Sequence, residues 1–179
     1  MKDPQPRVTR LADYRPPAFL VDTASDPVAI RIEGRASFQN SPCVNEFFNA
    51  LVAQGRTRFV MDFQNCTSMD STFLGVLAGA ALQLRKQATP GSLVLCRLGE
   101  RNLELIRNLG LHRLLTVDME TSGVHPTTFA ALTSVPIQGE LENARMVLAA
   151  HENLVVADEA NRAKFQDVLS FLKSRIQQG

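Results

Sequence analysis

A carboxylate and three hydroxyl groups precede an apolar segment in SMDSTFLGVLAG, residues 68–79. If Asp70 accepts a backbone N–H as the N-cap of a helix, Ser71 and Thr72 fall in its first turn. There they lie beside unpaired N–H groups and the positive end of the helix dipole. A phosphate on Ser71 is stabilised by those donors, and it adds a charge of about −1.5 to −2 beside Asp70. The residues therefore predict either a plain helix cap or a phosphorylation switch that controls binding.

The other side chains capable of chemistry show no comparable pattern. The three histidines lie in separate segments, and the three cysteines have no metal-ligand spacing. The sequence contains neither the GxxxxGK(S/T) phosphate loop nor the GxSxG nucleophile elbow. We therefore expect a protein that is not an enzyme and that has no catalytic residues, no metal and no cofactor. Packed or exposed positions are expected for the histidines, which are His112, His125 and His151.

Composition and charge narrow the class of protein. The 179 residues are 45% hydrophobic, which is enough for one folded domain and an extension. The formal net charge is +1 and there is no tryptophan, so a nucleic-acid partner is not expected. An odd number of scattered cysteines indicates reduced thiols. The sequence shows no signal peptide and no apolar run of about 18 residues, so we expect a cytoplasmic protein without membrane insertion.

Hydrophobic periodicity predicts alternating strands and helices. Two β-rich runs separated by a turn at residues 25–27 indicate an antiparallel hairpin. Later strands alternate with helices, which predicts a mixed sheet with right-handed crossovers. Gly75 and Gly79, four residues apart, predict close packing of their helix on a neighbouring sheet. The predicted strands are 18–24, 27–34, 57–63, 91–98 and 114–118, and the predicted helices are 40–55, 71–87 and 100–110.

The two ends of the chain have a different pattern. We expect a flexible arm over residues 1–16, which are polar and rich in proline, and a linker over 121–139. Apolar residues recur at helical spacing over 140–179, which predicts a C-terminal helical extension of two helices or one bent helix. Its second apolar stripe must be buried against the domain, a second copy of the chain or another protein. The stripe consists of Phe165, Val168, Leu169, Leu172 and Ile176.

The segment FVMDFQNCTSMDSTFLGVLAGAALQLRKQ resembles the core of the STAS domain of bacterial anti-sigma-factor antagonists. In that family an acidic strand end and a short turn lead into Asp-Ser-Ser/Thr-Gly-Leu-Gly-Val at the start of a helix. GSLVLCRLGERNLELIRNLGLHRLLTVD resembles the later strand, helix and last strand of the family. The resemblance covers residues 17–120. It implies an α/β fold, with a STAS-like mixed β-sheet of four to five strands and α-helices packed on it, to which the helical extension is added.

The resemblance implies the function of a regulatory binding module. Family members bind an anti-sigma factor, often a serine kinase, and thereby free a sigma factor for transcription. The kinase phosphorylates the serine that follows the motif aspartate, here Ser71, and Thr72 is a secondary acceptor. Phosphorylation blocks binding, and a serine phosphatase reverses it. The implied partner-binding residues are Asp62, Asp70, Ser71, Thr72, Phe73 and Leu74.

Two departures from the family pattern favour an alternative function. Phe73 replaces the usual glycine two residues after the acceptor serine, and minimal antagonists do not have the C-terminal extension. The alternative is a STAS scaffold subunit of a signalling or transporter-associated assembly without a sigma-factor role. In that case the C-terminal helices are candidates for pairing two copies of the chain as a homodimer.

Overall fold

The computed structural model describes residues 18–119, 128–132 and 139–178. Within them the chain forms one six-stranded sheet with the strand order β5-β4-β3-β2-β1-β6. Strands β2 to β5 run parallel to one another, whereas β1 is antiparallel to both of its neighbours. The predicted α/β class with a mixed sheet is thereby confirmed. The strands are β1 (Ala18–Asp22), β2 (Val28–Ala36), β3 (Arg58–Met69), β4 (Ser92–Cys96), β5 (Thr116–Asp118) and β6 (Ala130–Leu132).

Five α-helices accompany the sheet in the described part of the chain. Each of the three parallel crossovers carries one helix, because parallel strands need a long connection that returns along the sheet. The ends of these three helices agree with the predicted ones to within about two residues. The helices are α1 (Ser41–Ala53), α2 (Ser71–Arg85), α3 (Glu100–Asn108), α4 (Glu140–Ala157) and α5 (Asn161–Gln178), and a 3₁₀ turn covers Leu111–Arg113.

The antiparallel hairpin predicted at the start of the fold is confirmed. The Asp22 carboxylate accepts a hydrogen bond from the backbone N–H of Ala24 at 3.0 Å, which shapes the turn. In β2, the side chains of Val28, Ile30 and Ile32 are all buried in the main core. They share one face because successive side chains of a strand point to opposite sides. This face of the sheet receives the helices.

The helices form two layers on that face. α1, α2 and α3 contribute to the core above the sheet, α4 packs on α2, and α5 packs on α4. α2 is therefore enclosed between the sheet and α4, which explains why its first turns are apolar on nearly every side. The largest fully buried side chains are Phe19, Phe48, Phe59, Phe63, Phe73, Ile30, Ile32, Met61, Leu74, Leu77, Leu84 and Leu95.

One strand was not predicted. β6 lies within the segment 121–139 that we expected to be a linker, and it pairs with β1 from Phe19↔Leu132 to Val21↔Ala130. Its three residues are two alanines and a leucine, which have weak β-propensity, so the sequence carries no strand signal there. The sheet thus has six strands where four to five were expected. The predicted arm over 1–16 and most of the predicted linker lie outside the described residues.

The C-terminal extension forms two helices, which is one of the two arrangements that the sequence allowed. The apolar stripe of α5 is divided between two environments. Leu169 and Leu172 are buried, Phe165 packs at the edge of the main core and Ile176 is half-buried, whereas Val168 is exposed. Phe171, which lies outside the stripe, is exposed as well. The chain's own domain and α4 therefore cover part of the stripe.

Candidate functional site

Asp70 is the N-cap of α2, as predicted from its position before the two hydroxyl residues. Its Oδ1 accepts a hydrogen bond from the backbone N–H of Phe73 at 3.0 Å. Its Oδ2 accepts one from the backbone N–H of Phe38 at 2.7 Å. The first bond satisfies an N–H group that has no intrahelical partner, and the second ties the loop between β2 and α1 to the start of α2. One carboxylate thus joins two connections at the same end of the sheet.

The Ser71 hydroxyl is hydrogen-bonded to a histidine of the C-terminal extension. Ser71 Oγ lies 3.1 Å from Nε2 of His151, and Nδ1 of the same ring lies 2.8 Å from the carbonyl oxygen of Val147. A carbonyl only accepts hydrogen bonds, so in the neutral ring Nδ1 carries the proton and Nε2 accepts the Ser71 O–H. His151 is 3% exposed, and its ring meets that of Phe165 edge-on at a centroid distance of 5.0 Å. The predicted phosphorylation site is therefore half-buried and bonded within the chain.

Ser71, Gly75 and Gly79 form one stripe on α2, because residues four apart lie on the same side of a helix. A Cβ atom at Gly75 would overlap the backbone carbonyl of Ala150, and a Cβ atom at Gly79 would overlap the side-chain amide of Asn153. Nδ2 of Asn153 also donates to the carbonyl oxygen of Gly75 at 3.3 Å. We call this close contact the α2–α4 seam; it consists of Ser71, Gly75 and Gly79 on α2 with Ala150, His151 and Asn153 on α4.

The seam corrects one prediction from the sequence. We expected Gly75 and Gly79 to bring α2 close to a neighbouring sheet, but both glycines face α4 instead. The side of α2 that meets the sheet carries large apolar side chains, which need a wider separation than glycine does. The missing side chains therefore mark the contact between two helices.

Three of the predicted partner-binding residues lie in the interior. Thr72, Phe73 and Leu74 are buried, and Phe73 is 0% exposed. The Phe73 ring stacks on Phe19 of β1 at a centroid distance of 5.9 Å. The phenylalanine that replaces the family's glycine is thus a core residue that joins α2 to the sheet. In this conformation the three side chains present little surface to a partner.

Asp62 lies apart from Ser71, on the face of the sheet opposite α2. Val60, two residues earlier on the same face, belongs to a small apolar cluster separate from the main core. The buried Asp62 carboxylate is paired with Arg31 at 3.3 Å and with Nε of Arg97 at 2.9 Å. Burial by itself raises the pKa of the Asp62 carboxyl. The hydrogen bonds from Arg97, the Gln64 backbone N–H and Arg31, together with the Arg97 charge, outweigh it, so the pKa lies below its usual value. Asp62 therefore links neighbouring strands and is not brought together with the serine.

Two residues at the site were not predicted. Phe38, in the loop after β2, is 55% exposed although its backbone is held by Asp70. A single aromatic residue in a loop has no periodic signal, so the sequence does not single it out. His151 is 80 residues away from Ser71 along the chain. The prediction from the sequence used only the two glycines; the full spacing SxxxGxxxG on α2 is the local signal that could have indicated a close neighbour of Ser71.

Possible metal ligands, thiols and apolar helices are the other features of the described residues that bear on chemistry. Among its residues, no group of three or more His, Cys, Asp or Glu side chains is placed to hold a metal ion. Burial raises the pKa of Cys43 and Cys66 to about 11, so both thiols are protonated at neutral pH and are weak nucleophiles. No described helix has the length and apolar character needed to cross a bilayer.

Twelve chains of solved structures are similar to this one, and three of them illustrate the likeness. The anti-sigma factor antagonist SpoIIAA in its unphosphorylated form is 19% identical, with a TM-score of 0.49, over 58% of this chain and 90% of that chain. The Bacillus cell fate determinant SpoIIAA in its phosphorylated form is 21% identical, with a TM-score of 0.48, over 57% of this chain and 93% of that chain. A candidate anti-sigma factor antagonist from Thermotoga maritima is 16% identical, with a TM-score of 0.49, over 57% and 87%.

Comparison with protein families is more direct. No curated protein matches the chain. The family model described as "Mlab, STAS domain" matches residues 19–116, which is more than half of the 179 residues. The match begins in β1 and ends at the first residue of β5, so it includes α2 and its N-cap. The chain belongs to the STAS domain family.

Proposed function

We propose that the chain is a regulatory protein-binding module of the anti-sigma-factor antagonist type. It binds an anti-sigma factor that is a serine kinase, phosphorylation of Ser71 switches this binding off, and a serine phosphatase restores it. The observation that carries the proposal is the position of Ser71 as the first residue of α2, directly after the N-cap Asp70. The resemblance of the sequence around these two residues to the antagonist motif supports the same partners.

The start of α2 suits such a switch for electrostatic reasons. The γ-phosphoryl group of a nucleoside triphosphate passes to Ser71 Oγ, the hydroxyl proton leaves to a base of the kinase, and the nucleoside diphosphate departs. The product carries about −1.5 to −2 charge next to the carboxylate of Asp70. Backbone N–H groups and the helix dipole stabilise this charge within the chain. The phosphate repels an acidic partner surface at the same place. An apolar partner surface is also disfavoured, because it would strip water from the charge without pairing it.

Phe38 and Asp70 offer the partner a surface beside Ser71. The Phe38 side chain is 55% exposed, and the bond of 2.7 Å from its N–H to Asp70 holds it next to the start of α2. An anchored and exposed aromatic ring beside polar groups is typical of a binding hot spot. We therefore propose Phe38, Asp70 and Ser71 as the contact surface, since Phe73 and Leu74 are buried.

Affinity capture from a lysate of the native host tests this function. The baits are the wild type, Ser71→Asp and the control Ser170→Asp, which puts the same charge on an exposed serine of α5. We expect an anti-sigma factor with a kinase-type ATPase fold on the wild type and the control, and its absence from Ser71→Asp. Addition of ATP to the captured complex is expected to phosphorylate Ser71. Identical partners on all three baits, without modification of Ser71, contradict the proposal.

The second candidate function is a STAS scaffold subunit of a signalling or transporter-associated assembly. The α2–α4 seam favours it, because the Ser71 hydroxyl already has a partner within the chain. A structural role explains this bond without any modifying enzyme. If this function is correct, wild type and Ser71→Asp capture the same set of assembly subunits.

Domain limits, location and self-association are part of the proposal. We propose a STAS-like domain over 17–120, an extension over 140–179 that is docked on it, and a cytoplasmic location. A homodimer through the C-terminal helices would use the side chains that α5 leaves exposed, Val168 and Phe171. Light scattering of the full chain tests this dimer, and Phe171→Asp is expected to convert a dimer to a monomer.

A further inference from the structure

We propose that α4 and α5 act as a latch over Ser71, and that docking of this latch and phosphorylation of Ser71 exclude each other. The inference rests on the proposed function, because it takes Ser71 as the site that a nucleoside-triphosphate-dependent kinase modifies. It adds a regulatory element that minimal antagonists do not have. The latch covers the hydroxyl in the unmodified chain, and the phosphate opens the latch.

The hydrogen bond between Ser71 and His151 leaves no space for a phosphate between these two side chains. Nε2 of His151 lies 3.1 Å from Ser71 Oγ, which is the separation of a direct hydrogen bond. A phosphate replaces the hydroxyl proton by a phosphorus atom and three oxygens, so a bond from His151 to those oxygens requires the ring to retreat. The ring is 3% exposed and is held by Val147 and Phe165. It therefore cannot swing away alone, and the backbone of α4 must move with it.

The other contacts of the seam require α4 to separate from α2, because a small shift of α4 is not possible there. One turn after Ser71, the space beside Gly75 is filled by the backbone of Ala150. Because packed helices have little free volume, α4 cannot shift sideways along this stripe without losing the contact. The bond from Asn153 to the Gly75 carbonyl is lost together with it. The serine is thus the first of three small residues on which α4 depends for its approach to α2.

The far end of the latch is attached by independent bonds. Asn161, at the start of α5, is fully buried and donates to the carbonyl oxygens of Leu109 and Leu154 at 2.9 and 2.8 Å. Nζ of Lys164 donates to the carbonyl oxygen of Asn108 at 2.6 Å. These contacts lie at the turn between α4 and α5 and do not involve Ser71. We therefore expect the phosphate to release the part of α4 around His151, while the turn stays attached.

The two states are linked thermodynamically. If the phosphate weakens docking of the latch by some factor, the docked latch disfavours phosphorylation by the same factor. A ligand that lifts α4 would then favour modification of Ser71. The latch therefore couples whatever binds the C-terminal helices to the state of the site at α2.

Hydrogen–deuterium exchange of the intact chain tests the latch without any partner or kinase. Phosphoserine is installed at position 71 during translation, and a matched protein carries phosphoserine at 170, on the exposed side of α5. We expect amides of 140–157 to exchange at least about tenfold faster with phosphoserine at 71, while those of β3 and β4 stay protected. Phosphoserine at 170 is expected to leave 140–157 unchanged.

Two results would overturn the latch. One is unchanged exchange over 140–157 in the protein with phosphoserine at 71. The other is acceleration that extends equally to β3 and β4, because the phosphate would then unfold the domain and not open a latch. Neither result depends on the identity of the partner, so the latch can fail while the capture experiment succeeds, and the reverse also holds.

Discussion

At the scale of single residues, Asp70 is the side chain that both the fold and the candidate site depend on. Its carboxylate accepts the N–H groups of Phe73 and Phe38, so Asp70→Ala leaves both donors without a partner. We expect the free energy of unfolding, measured by urea denaturation, to fall by about 1–2 kcal/mol. Asp26→Ala is the control, because its ion pair with Arg58 is exposed and such pairs contribute little. Equal losses in the two variants would show that the capping bonds are unimportant.

Asp62 gives a prediction that depends on pH. Its pKa in the folded chain lies below the usual value of about 3.9, so the ionised carboxylate stabilises the fold above about pH 4. This stabilisation is lost as the pH falls through the lowered pKa. Asp62→Asn leaves Arg31 and Arg97 without their counter-charge and is expected to lower the unfolding free energy by about 3 kcal/mol at neutral pH. Urea denaturation at neutral pH and below about pH 3 measures both differences.

The sign of this effect is specific to a carboxylate with a lowered pKa. The difference between wild type and Asp62→Asn is expected to narrow in acid, because the wild type then loses the same charge that the variant lacks. Asp26→Asn, at an exposed pair, is expected to show a small difference at both pH values. A constant difference at both pH values for Asp62→Asn would contradict the ion-pair interpretation.

Whether a contact can be predicted from the sequence depends on how far apart its two residues lie along the chain. The cap formed by Asp70 joins residues three apart, so the local order of residue types is sufficient to predict it. The bond between Ser71 and His151 joins residues 80 apart, and no local pattern encodes it. Phe73 is an intermediate case. Its apolar character predicts burial or a binding surface equally well, and only its stacking on Phe19 decides for burial.

At the scale of elements, the two glycines of α2 are expected to differ in how well they tolerate substitution by alanine. A Cβ atom at Gly75 meets the backbone of Ala150, which cannot rotate away, so Gly75→Ala is expected to lower the unfolding free energy by about 2 kcal/mol. A Cβ atom at Gly79 meets the end of the Asn153 side chain, which can turn aside, and alanine is favoured over glycine in a helix by about 1 kcal/mol. Gly79→Ala is therefore expected to change stability less. The reverse order in urea denaturation would contradict the seam.

The element boundaries were predictable where local signals are strong. α1, α2 and α3 follow from apolar periodicity with caps and stop residues at their ends, and the strands between them follow from apolar runs. β6 was not predictable, because three residues of weak β-propensity become a strand only through the free edge of β1. The sequence also could not show whether the two glycines contact a helix or a sheet, since close approach to either requires the same small residues.

At the scale of the whole molecule, the extension belongs to the same core as the STAS domain. Ala150 and Leu154 of α4 lie in the main hydrophobic cluster together with residues of the sheet. An amphipathic helix at the end of a sequence is compatible with docking on its own domain, on a second copy or on a partner. The stripe of small residues on α2 explains why α4 docks on its own domain, because it gives α4 a surface that permits close backbone contact.

Leu154→Ala tests whether the unmodified chain is one cooperative unit. Leu154 is 0% exposed in the main core, so its truncation is expected to lower the unfolding free energy by about 3 kcal/mol. Val156→Ala, on the same helix but 68% exposed, is the matched control and is expected to have little effect. If the chain is one cooperative unit, its circular dichroism and the hydrogen exchange of β4 should show the same single transition in urea. A separate early transition of α4 would show that the extension is weakly docked even without a phosphate. A single transition means that the domain and the latch unfold together in the unmodified chain, as expected if Leu154 joins them in one core.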